Sequence, residues 1–486
     1  MGLIKTAAKG IAWTTISTIV RSLISILQVS ILTRYLQKSD FGIVAIATLL
    51  IGFIQIFLDL GLSVGIMHKR DTTKDEYSSL FWLNVFCGIF LTIIIALISP
   101  LIASFYKEPS LTRIVTLLGF SMLFSSLGSQ HRTIQQKLMR FKTISIVEII
   151  ASFFTILAAV LLAINGYGIY SLVYSTLINV FISNILFLII GLRKDNNISF
   201  HFAIRDTYPY IKIGVYSLGT QILDFVSREL DVFIISTSLG KDILGAYSLC
   251  KRLILALYNA LNPILMKVLT PILSTLQDDN NRLKGIYYKI IESIALINYP
   301  IYCLIAIFAY AILSILYGND YSEYWIILGL LSVYYAYLST GNPVGALQTA
   351  LGRTDTGFYW TMCRIVIYGI TIYVGSFWGM MAIIIGLIIS NFIFAPLAWK
   401  ITIKPLIGGR FWEFFKIGFI PWILTILYSS PFILLFAKQK NIIVCIVISV
   451  VYLGLYLSFL LIQKREIYIV GLLKNGLVRL RQKYKL

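Results

Sequence analysis

Long apolar runs separated by short polar segments cover almost the whole chain. A run of about 20 apolar residues can cross the hydrocarbon core of a membrane as a helix. Fourteen runs approach this length, and the longest polar segment between them spans about twenty residues around Arg193 to Lys212. The pattern therefore predicts an all-α membrane protein of fourteen transmembrane helices without a soluble domain. The predicted spans lie near 11–33, 42–66, 79–105, 114–130, 144–164, 168–191, 211–236, 244–272, 289–316, 324–348, 358–375, 378–399, 414–436 and 441–463.

Two of these spans carry a stripe of polar side chains at helical spacing. Members of each stripe are three or four residues apart, so they share one face of a helix. The stripe in span seven is Ser217, Gln221, Asp224, Arg228 and Asp231. The stripe in span one is Thr14, Thr18, Arg21, Ser25 and Gln28, and each position differs by 203 from its counterpart. Charges at membrane depth cost at least ~2.5–3.5 kcal/mol each, so these faces are expected to line a protein interior or a watery cavity.

The offset of 203 residues extends beyond the stripes and indicates an internal duplication. Lys38 and Gly42 match Lys241 and Gly245, and a later motif, Gln135 to Arg140, matches Gln348 to Arg353 at an offset of 213. Repeats of about 200 residues with polar faces at matching positions are typical of transporters. We predict an N-terminal six-helix lobe at 1–200, a C-terminal six-helix lobe at 201–405, two additional transmembrane helices at 406–463 and a basic cytoplasmic tail at 464–486.

Composition agrees with this class and excludes others. The chain is 58% hydrophobic and only 13% charged, about half the charged fraction of soluble domains. The net charge of +20 is scattered between apolar runs rather than gathered on a soluble face, so no nucleic-acid partner is expected. The five cysteines and three histidines lie apart, which predicts no metal site and no cofactor. The first apolar run contains Arg21 and exceeds twenty residues, so we interpret it as a retained span rather than a cleaved signal.

The distribution of basic residues predicts the orientation of the chain. With the N-terminus in the cytoplasm, 28 of the 41 Lys and Arg lie in cytoplasmic segments and 7 in external ones. Such an excess of basic residues marks the cytoplasmic side. Both termini are therefore predicted to be cytoplasmic. Because each repeat has an even number of spans, the two repeats are expected to be parallel.

Several short motifs occur in the order found in a known family. They are RYLQKSDFG (Arg34–Gly42), DLGLS (Asp59–Ser63), FWLN (Phe81–Asn84), GYGIYSLV (Gly166–Val173) and ALGRT (Ala350–Thr354). Together with the fourteen spans, they resemble the polysaccharide transporters of the multidrug/oligosaccharidyl-lipid/polysaccharide flippase superfamily, the Wzx-type flippases. The motifs are mostly packing and turn residues, so they identify the scaffold better than the cargo.

The resemblance implies two six-helix lobes that form a V-shaped cavity and open alternately to each side of the bacterial plasma membrane. The implied cargo is an oligosaccharide on a polyprenyl diphosphate, for O-antigen, capsule or exopolysaccharide synthesis. Membrane lipids, a polysaccharide polymerase and the chain-length machinery are the implied partners. Arg is suited to bind a diphosphate because its planar fork donates paired hydrogen bonds. The candidate cargo-binding residues are Arg21, Gln28, Asp224, Arg228, Lys251, Arg252 and Arg364.

Structural roles compete with these functional ones. Arg21 and Asp224 occupy equivalent repeat positions and are candidates for an ion pair, and Asp224 and Arg228 are spaced to neutralise each other on one helix. Lys251 and Arg252 are also placed to extend toward the outer interface.

Three further sets of residues have possible roles. Asp59 is a candidate for ion coupling or for a helix cap, whereas Glu148 and Glu292 are expected to be solvated near cytoplasmic ends. Candidates for stacking on sugar rings are Tyr334, Tyr335 and Tyr337.

Two other functions remain in competition with transport of a lipid-linked sugar. A multidrug or cation antiporter of the same superfamily needs buried carboxylates for cationic cargo, and the basic residues within the spans argue against it. A membrane polymerase or glycosyltransferase needs catalytic residues in a sizeable loop or domain, and the sequence has neither such a segment nor a GxxxxGK[ST] phosphate loop. We therefore predict no enzymatic activity and no catalytic residues.

Overall fold

The computed structural model describes residues 2–69, 71–194 and 198–462. Within these ranges the chain forms nineteen α-helices and one short 3-10 helix, and no strand. An all-helical structure is what an apolar environment requires, because a helix satisfies its backbone N–H and C=O groups internally. The predicted basic tail at 464–486 lies outside the described residues.

Contacts divide the chain into two compact units, Met1–Leu249 and Cys250–Leu486. The helices of the first unit are α1 (Gly2–Leu32), α2 (Lys38–Asp59), α3 (Leu62–His68), α4 (Lys74–Phe105), α5 (Ser110–Lys137), α6 (Phe141–Ile164), α7 (Tyr170–Lys194) and α8 (Ile204–Ser238). Helix α9 (Lys241–Ser274) begins in the first unit and ends in the second.

The second unit continues from α9 with shorter elements. They are α10 (Asn280–Ile307), α11 (Ala309–Leu316), the 3-10 helix (Asn319–Tyr324), α12 (Trp325–Ser339), α13 (Pro343–Ala350), α14 (Asp355–Ser376), α15 (Met380–Ile393), α16 (Ala395–Thr402), α17 (Lys404–Ile407), α18 (Phe411–Phe436) and α19 (Ile442–Ile462).

The chain is a multi-span membrane protein. Nine helices in the described ranges are long and apolar enough to cross a membrane, or ten when the bent pair α15–α16 is one span. The count of fourteen spans stays a prediction. Some predicted spans do not meet this criterion of length and apolar character. Helix α8 carries the charged stripe, and span ten is divided into the short helices α12 and α13.

Breaks occur in several predicted spans and concentrate in the second unit. The spans predicted near 289–316, 324–348 and 378–399 are each built from two helices, and the last pair bends by 53°. In the first unit, α2 ends at Asp59, and α3 follows after Leu60 and Gly61, both with positive φ. Broken helices are tolerated at membrane depth where the freed backbone groups are buried in protein or line a cavity.

Helix α8 belongs to the second predicted repeat, yet it packs on α2, α3 and α4 of the first unit. For this reason the boundary between the compact units lies about 50 residues beyond the predicted repeat boundary at 200/201. Two glycines allow a close approach at the N-terminal half of α8. A Cβ atom at Gly61 would lie 2.2 Å from the Cα of Gly214.

Two turns matched by the 213-residue offset have the same backbone. Met139 and Gly352 both adopt positive φ, at 54° and 66°. The N–H of Arg140 donates to the Gln135 carbonyl at 2.9 Å, and the N–H of Arg353 donates to the Gln348 carbonyl at 2.9 Å. The sequence match therefore corresponds to a shared helix-ending turn.

A second matched pair makes a reciprocal contact within the first unit. A Cβ atom at Gly42 would lie 2.0 Å from the carbonyl O of Lys241, and one at Gly245 would lie 1.9 Å from the carbonyl O of Lys38. Both pairs are related by the 203-residue offset. The first turns of α2 and α9 therefore touch backbone to backbone, which only glycine permits at these positions.

Candidate functional site

Three charged side chains from three helices of the first unit form one cluster. Glu148 of α6 binds Arg21 of α1 through one carboxylate oxygen, and its Oε1 accepts from Nη2 of Arg132 of α5 at 2.8 Å. The Glu148 side chain is 15% exposed, whereas those of Arg21 and Arg132 are 42% and 45% exposed. We call Arg21, Arg132 and Glu148 the arginine cluster. Its shielded acid holds two partly accessible guanidinium groups.

Packing of α1 on α6 fixes the position of Arg21. Gly10 has no side chain, so the ring of Phe141 occupies the space where a Cβ would lie, at 2.5 Å. The Lys142 ammonium lies 5.5 Å from the centre of the Trp13 ring, in cation–π geometry. Farther along α1, the amide of Gln28 donates to the Ser175 hydroxyl of α7 at 3.2 Å. Gln28 is buried, so its described role is to join two helices.

The electrostatics of the arginine cluster favour an anion. Two guanidinium groups and one carboxylate leave one net positive charge. Each guanidinium has five N–H donors and spends few of them on Glu148, so several remain for another acceptor. The expectation that Glu148 is solvated is wrong: its helix faces the two arginines, and their side chains cover it. Glu292 is partly buried as well.

Asp59 caps a helix in this structure. Its carboxylate accepts from the Ser63 backbone N–H at 3.3 Å and from the Ser63 hydroxyl. The same hydroxyl lies 3.1 Å from the Thr133 hydroxyl of α5. This geometry satisfies an otherwise unpaired N–H in the first turn of α3. Of the two roles weighed for Asp59, capping has the geometric support.

The stripe on α8 is partly exposed. Asp224 and Arg228 are exposed, and Asp224 makes no hydrogen bond or ion pair within the described part of the chain. It therefore pairs neither with Arg21, whose acid is Glu148, nor with Arg228. Beside the stripe, Phe225 of α8 packs on Phe53 of α2, with ring centres 5.9 Å apart.

The remaining candidates lie in the second unit. Lys251 is 5% exposed, so its ammonium does not extend to an interface. Arg252 is exposed on α9 and lies within electrostatic reach of Tyr317. Arg364 of α14 is partly buried and acts electrostatically on the hydroxyls of Tyr258 and Tyr368. Arg364 is thus placed beside two tyrosines.

Tyr258 and Tyr368, the two neighbours of Arg364, belong to a group of five tyrosines. We call this group the tyrosine cluster: Tyr258, Tyr302, Tyr334, Tyr335 and Tyr368. Tyr335 packs edge-on against Tyr258 at 5.6 Å and against Tyr334 at 5.3 Å between ring centres. Tyr337, a third candidate for sugar stacking, instead packs on Phe392 at 4.7 Å. In the described residues no group of three or more His, Cys, Asp or Glu is arranged to hold a metal ion.

Comparison with known proteins identifies the family. The family described as "Polysaccharide biosynthesis protein" matches residues 31–326, more than half of the chain. The chain belongs to this family. The resemblance inferred from the motifs is therefore confirmed.

Curated relatives of this polysaccharide biosynthesis protein come from several bacteria. It is 24% identical to the lipopolysaccharide biosynthesis protein WzxC of Escherichia coli K12, over 88% of this chain and 87% of WzxC. It is 26% identical to the teichuronic acid biosynthesis protein TuaB of Bacillus subtilis 168, over 76% of each chain.

Solved structures show the fold that this polysaccharide biosynthesis protein shares. An inward closed conformation of the lipid II flippase MurJ matches with a TM-score of 0.74 at 14% identity, over 94% of this chain and 100% of MurJ. An inward-facing multidrug transporter of the MATE family matches with a TM-score of 0.60 at 14% identity, over 87% and 96%. The chain therefore shares the fold of these two solved proteins.

For this family member, the sequence identified Arg21 but not the residues that hold it. Arg132 falls just outside a predicted span and was counted with a cytoplasmic segment, and Glu148 was expected to be solvated. The sequence does contain a signal that points to Arg132. This residue lies within a mostly polar stretch, Ser125 to Lys137, that continues α5 beyond its apolar part. Extending that helix by two turns would have brought Arg132 into consideration.

Proposed function

We propose that this protein is a flippase that translocates a polyprenyl-diphosphate-linked oligosaccharide repeat unit across the bacterial plasma membrane by alternating access. The observation that carries the proposal is the arginine cluster within a multi-span member of a polysaccharide biosynthesis family. A diphosphate in an apolar surrounding needs charge-assisted donors, and two guanidinium groups supply them in planar, paired geometry. Names of relatives that refer to lipopolysaccharide and teichuronic acid synthesis support an envelope glycan as cargo.

The proposed division of labour within the chain follows from this function. Lobes at 1–200 and 201–405 form two parallel six-helix repeats, with two further helices at 406–463 and a basic cytoplasmic tail at 464–486. The chain crosses the membrane fourteen times in all, and both termini are cytoplasmic. The protein acts as a transporter rather than an enzyme. A polysaccharide polymerase and the chain-length machinery act on its product.

The related multidrug transporters raise an alternative, export of a cation in exchange for an ion. The MATE family likeness is one of fold, at 14% identity. The arginine cluster carries a net positive charge, which repels cationic cargo. Binding of an anionic head group is therefore the function that these residues support better.

Deletion of the gene tests the class of cargo. We expect lipid-linked oligosaccharide to accumulate in the cytoplasmic leaflet and surface polysaccharide to disappear. Restoration by the wild-type gene, with protein quantified in the membrane fraction, is the control. Normal lipid-linked intermediates together with drug hypersensitivity would favour the antiporter instead.

Reporter fusions test the orientation. A reporter fused at Asn319, in the 3-10 helix between α11 and α12, is expected to be external, and one fused at Thr354, just before α14, cytoplasmic. The reason is the excess of basic residues on the cytoplasmic side. If both reporters report the same side, the number of spans between them is wrong.

A further inference from the structure

The tyrosine cluster lies near the middle of each predicted span that contributes to it. Each of its members is within about two residues of the midpoint of its predicted span, and Arg364 is equally central. They come from α9, α10, α12 and α14, all within Cys250–Leu486. Substrate sites of transporters typically lie near the bilayer midplane. The depth of the cluster is therefore that of a binding site rather than of an interfacial aromatic belt.

Two broken helices provide hydrogen-bond partners for the cluster. Helix α12 ends at Ser339 and α13 begins at Pro343, and Asn342 between them accepts from the Tyr258 hydroxyl at 2.5 Å. Asn391, three residues before the 53° bend at Phe394, accepts from the Tyr368 hydroxyl at 2.8 Å. Discontinuous helices at membrane depth commonly mark where a transporter contacts its substrate.

Two polar groups of the cluster have no partner among the described residues. Tyr302 is completely buried, and its hydroxyl makes no hydrogen bond. It lies within electrostatic reach of Tyr258 and Tyr335, so it is directed into the cluster. The Nδ2 of Asn342 is also buried without a partner. A buried donor without an acceptor destabilises a fold, so its presence points to a ligand that accepts from it.

The neighbouring Tyr299 is a buried tyrosine whose hydroxyl does have a partner. Tyr299 lies on the same helix, three residues before Tyr302, and is equally buried. Its hydroxyl donates to the Gly418 carbonyl at 3.1 Å. On the same helix and at the same burial, one tyrosine hydroxyl is thus bonded at Tyr299 and the other is unbonded at Tyr302.

We propose that the tyrosine cluster binds a sugar ring of the cargo glycan, an inference that rests on the proposed function. Aromatic rings offer flat apolar faces with hydroxyl groups at their edges, and a sugar ring has apolar C–H faces surrounded by hydroxyls. Tyr302 donates to a sugar oxygen, and the Asn342 amide donates to a second one. The partly exposed Tyr258, Asn342 and Arg364 form the edge by which the sugar enters.

Binding to the full-length protein in lipid nanodiscs tests the proposal with two probes. One probe is polyprenyl diphosphate without sugar. The other is the lipid-linked oligosaccharide extracted from the bacterium after deletion of the gene. We expect Tyr302→Phe to weaken binding of the sugar-bearing lipid by roughly 5-fold, the value of one hydrogen bond, and to leave binding of the sugar-free lipid unchanged.

Tyr299→Phe is the matched control. It loses a satisfied hydrogen bond, so we expect a lower melting temperature and unchanged binding of both lipids. Tyr302→Phe removes an unbonded hydroxyl, so its melting temperature is expected to match or exceed that of the wild type. An equal effect of Tyr302→Phe on both lipids, or none on either, would overturn the sugar site while leaving the flippase function intact. Failure of the wild type to bind either lipid would overturn both.

Discussion

The first and second units use different chemistry at their polar centres. In the first unit, Arg21, Arg132 and Glu148 project from continuous helices and interact as charges. In the second unit, the tyrosine cluster is neutral apart from Arg364, and its partners sit at helix breaks. The difference matches the two polar parts of a lipid-linked oligosaccharide, an anionic diphosphate and an uncharged array of hydroxyls.

The two kinds of centre need different support from the backbone. An arginine reaches its ligand on a long side chain, so an unbroken helix can carry it, and one acid is enough to orient two of them. Neutral hydroxyls gain less from each contact and therefore need several donors and acceptors close together. Broken helices supply these at mid-span, which accounts for their concentration in the second unit.

Of the changes that test this difference between the units, replacement of Arg21 is expected to have the largest effect, a loss of transport. Arg21→Ala removes charge-assisted hydrogen bonds to the diphosphate and should reduce transport by roughly 10–100-fold. Arg21→Lys should retain part of the transport because the charge remains. Membrane abundance should stay near normal, because Glu148 keeps Arg132 as its partner at 2.8 Å. The measurement is surface polysaccharide relative to quantified membrane protein.

Arg353→Ala is the control for Arg21→Ala. Arg353 also binds an acid, Asp355, through two contacts of 2.9 and 3.0 Å, but it lies on an exposed turn of the second unit. Its replacement should leave transport per molecule unchanged. Full transport by Arg21→Ala at normal abundance would remove the charged centre from the proposed mechanism.

Replacement of Gly42 and Gly245 tests a feature that the two predicted repeats share, a glycine at the same position in the first turns of α2 and α9. Gly42→Ala and Gly245→Ala each place a Cβ about 2 Å from a backbone carbonyl oxygen, so α2 and α9 must move apart. We expect each to lower stability by about 1–3 kcal/mol, and by similar amounts because the contact is reciprocal. Gly285→Ala, with open space around it, should be neutral or slightly stabilising. Thermal unfolding in nanodiscs measures all three, and a stability of Gly42→Ala equal to that of Gly285→Ala would contradict the close contact.

Sequence periodicity predicted the architecture better than it predicted the partners of its charges. The all-helical class and the apolar runs were accessible because span length and helical period are local properties, and the family was accessible from short motifs. The ion pair of Arg21 was not, since Glu148 is 127 residues away and only the packing of α1 on α6 brings the two together. Equivalence of repeat positions suggested Asp224 instead, but positions related by a duplication need not be in contact.

The helix breaks were hidden for a related reason. Span ten is apolar over most of its length, but Ser339 to Asn342 are polar or glycine and Pro343 follows them. Asn–Pro is a local turn signal, which a count of apolar residues over the whole span does not register. Gly42 and Gly245, in contrast, were visible as a matched pair, although their mutual contact was not predicted. Sequence alone also named Tyr334 and Tyr335, whereas Tyr258, Tyr302 and Tyr368 joined them only through tertiary packing.

Replacing the acid of the arginine cluster should have a smaller effect than replacing Arg21. Glu148→Gln leaves two half-exposed guanidinium groups without their counter-charge, and solvent screening limits the cost to about 1 kcal/mol. The cost should shrink at high salt, because screening also weakens the wild-type pairs. Thermal unfolding at low and high salt is the measurement. No such salt dependence is expected for Tyr302→Phe, so equal behaviour of the two variants would contradict the contrast between the units.

The smallest effect is expected at an ionic contact that adjoins the reciprocal glycines. Lys241, whose carbonyl meets Gly42, donates from its ammonium to Glu108, and this hydrogen bond holds the pKa of the Glu108 carboxyl below its usual range. A lowered pKa means that the contact contributes stability above the unfolded carboxyl pKa of about 4.3 and loses it as the pH falls through the folded value. Because the lysine is 44% exposed, we expect a few tenths of a kcal/mol. The melting temperature of the wild type should therefore exceed that of Glu108→Gln by about 1 °C at neutral pH and converge with it below pH ~4. A difference that persists at acidic pH would mean that packing, rather than charge, holds the turn between α4 and α5 against α9.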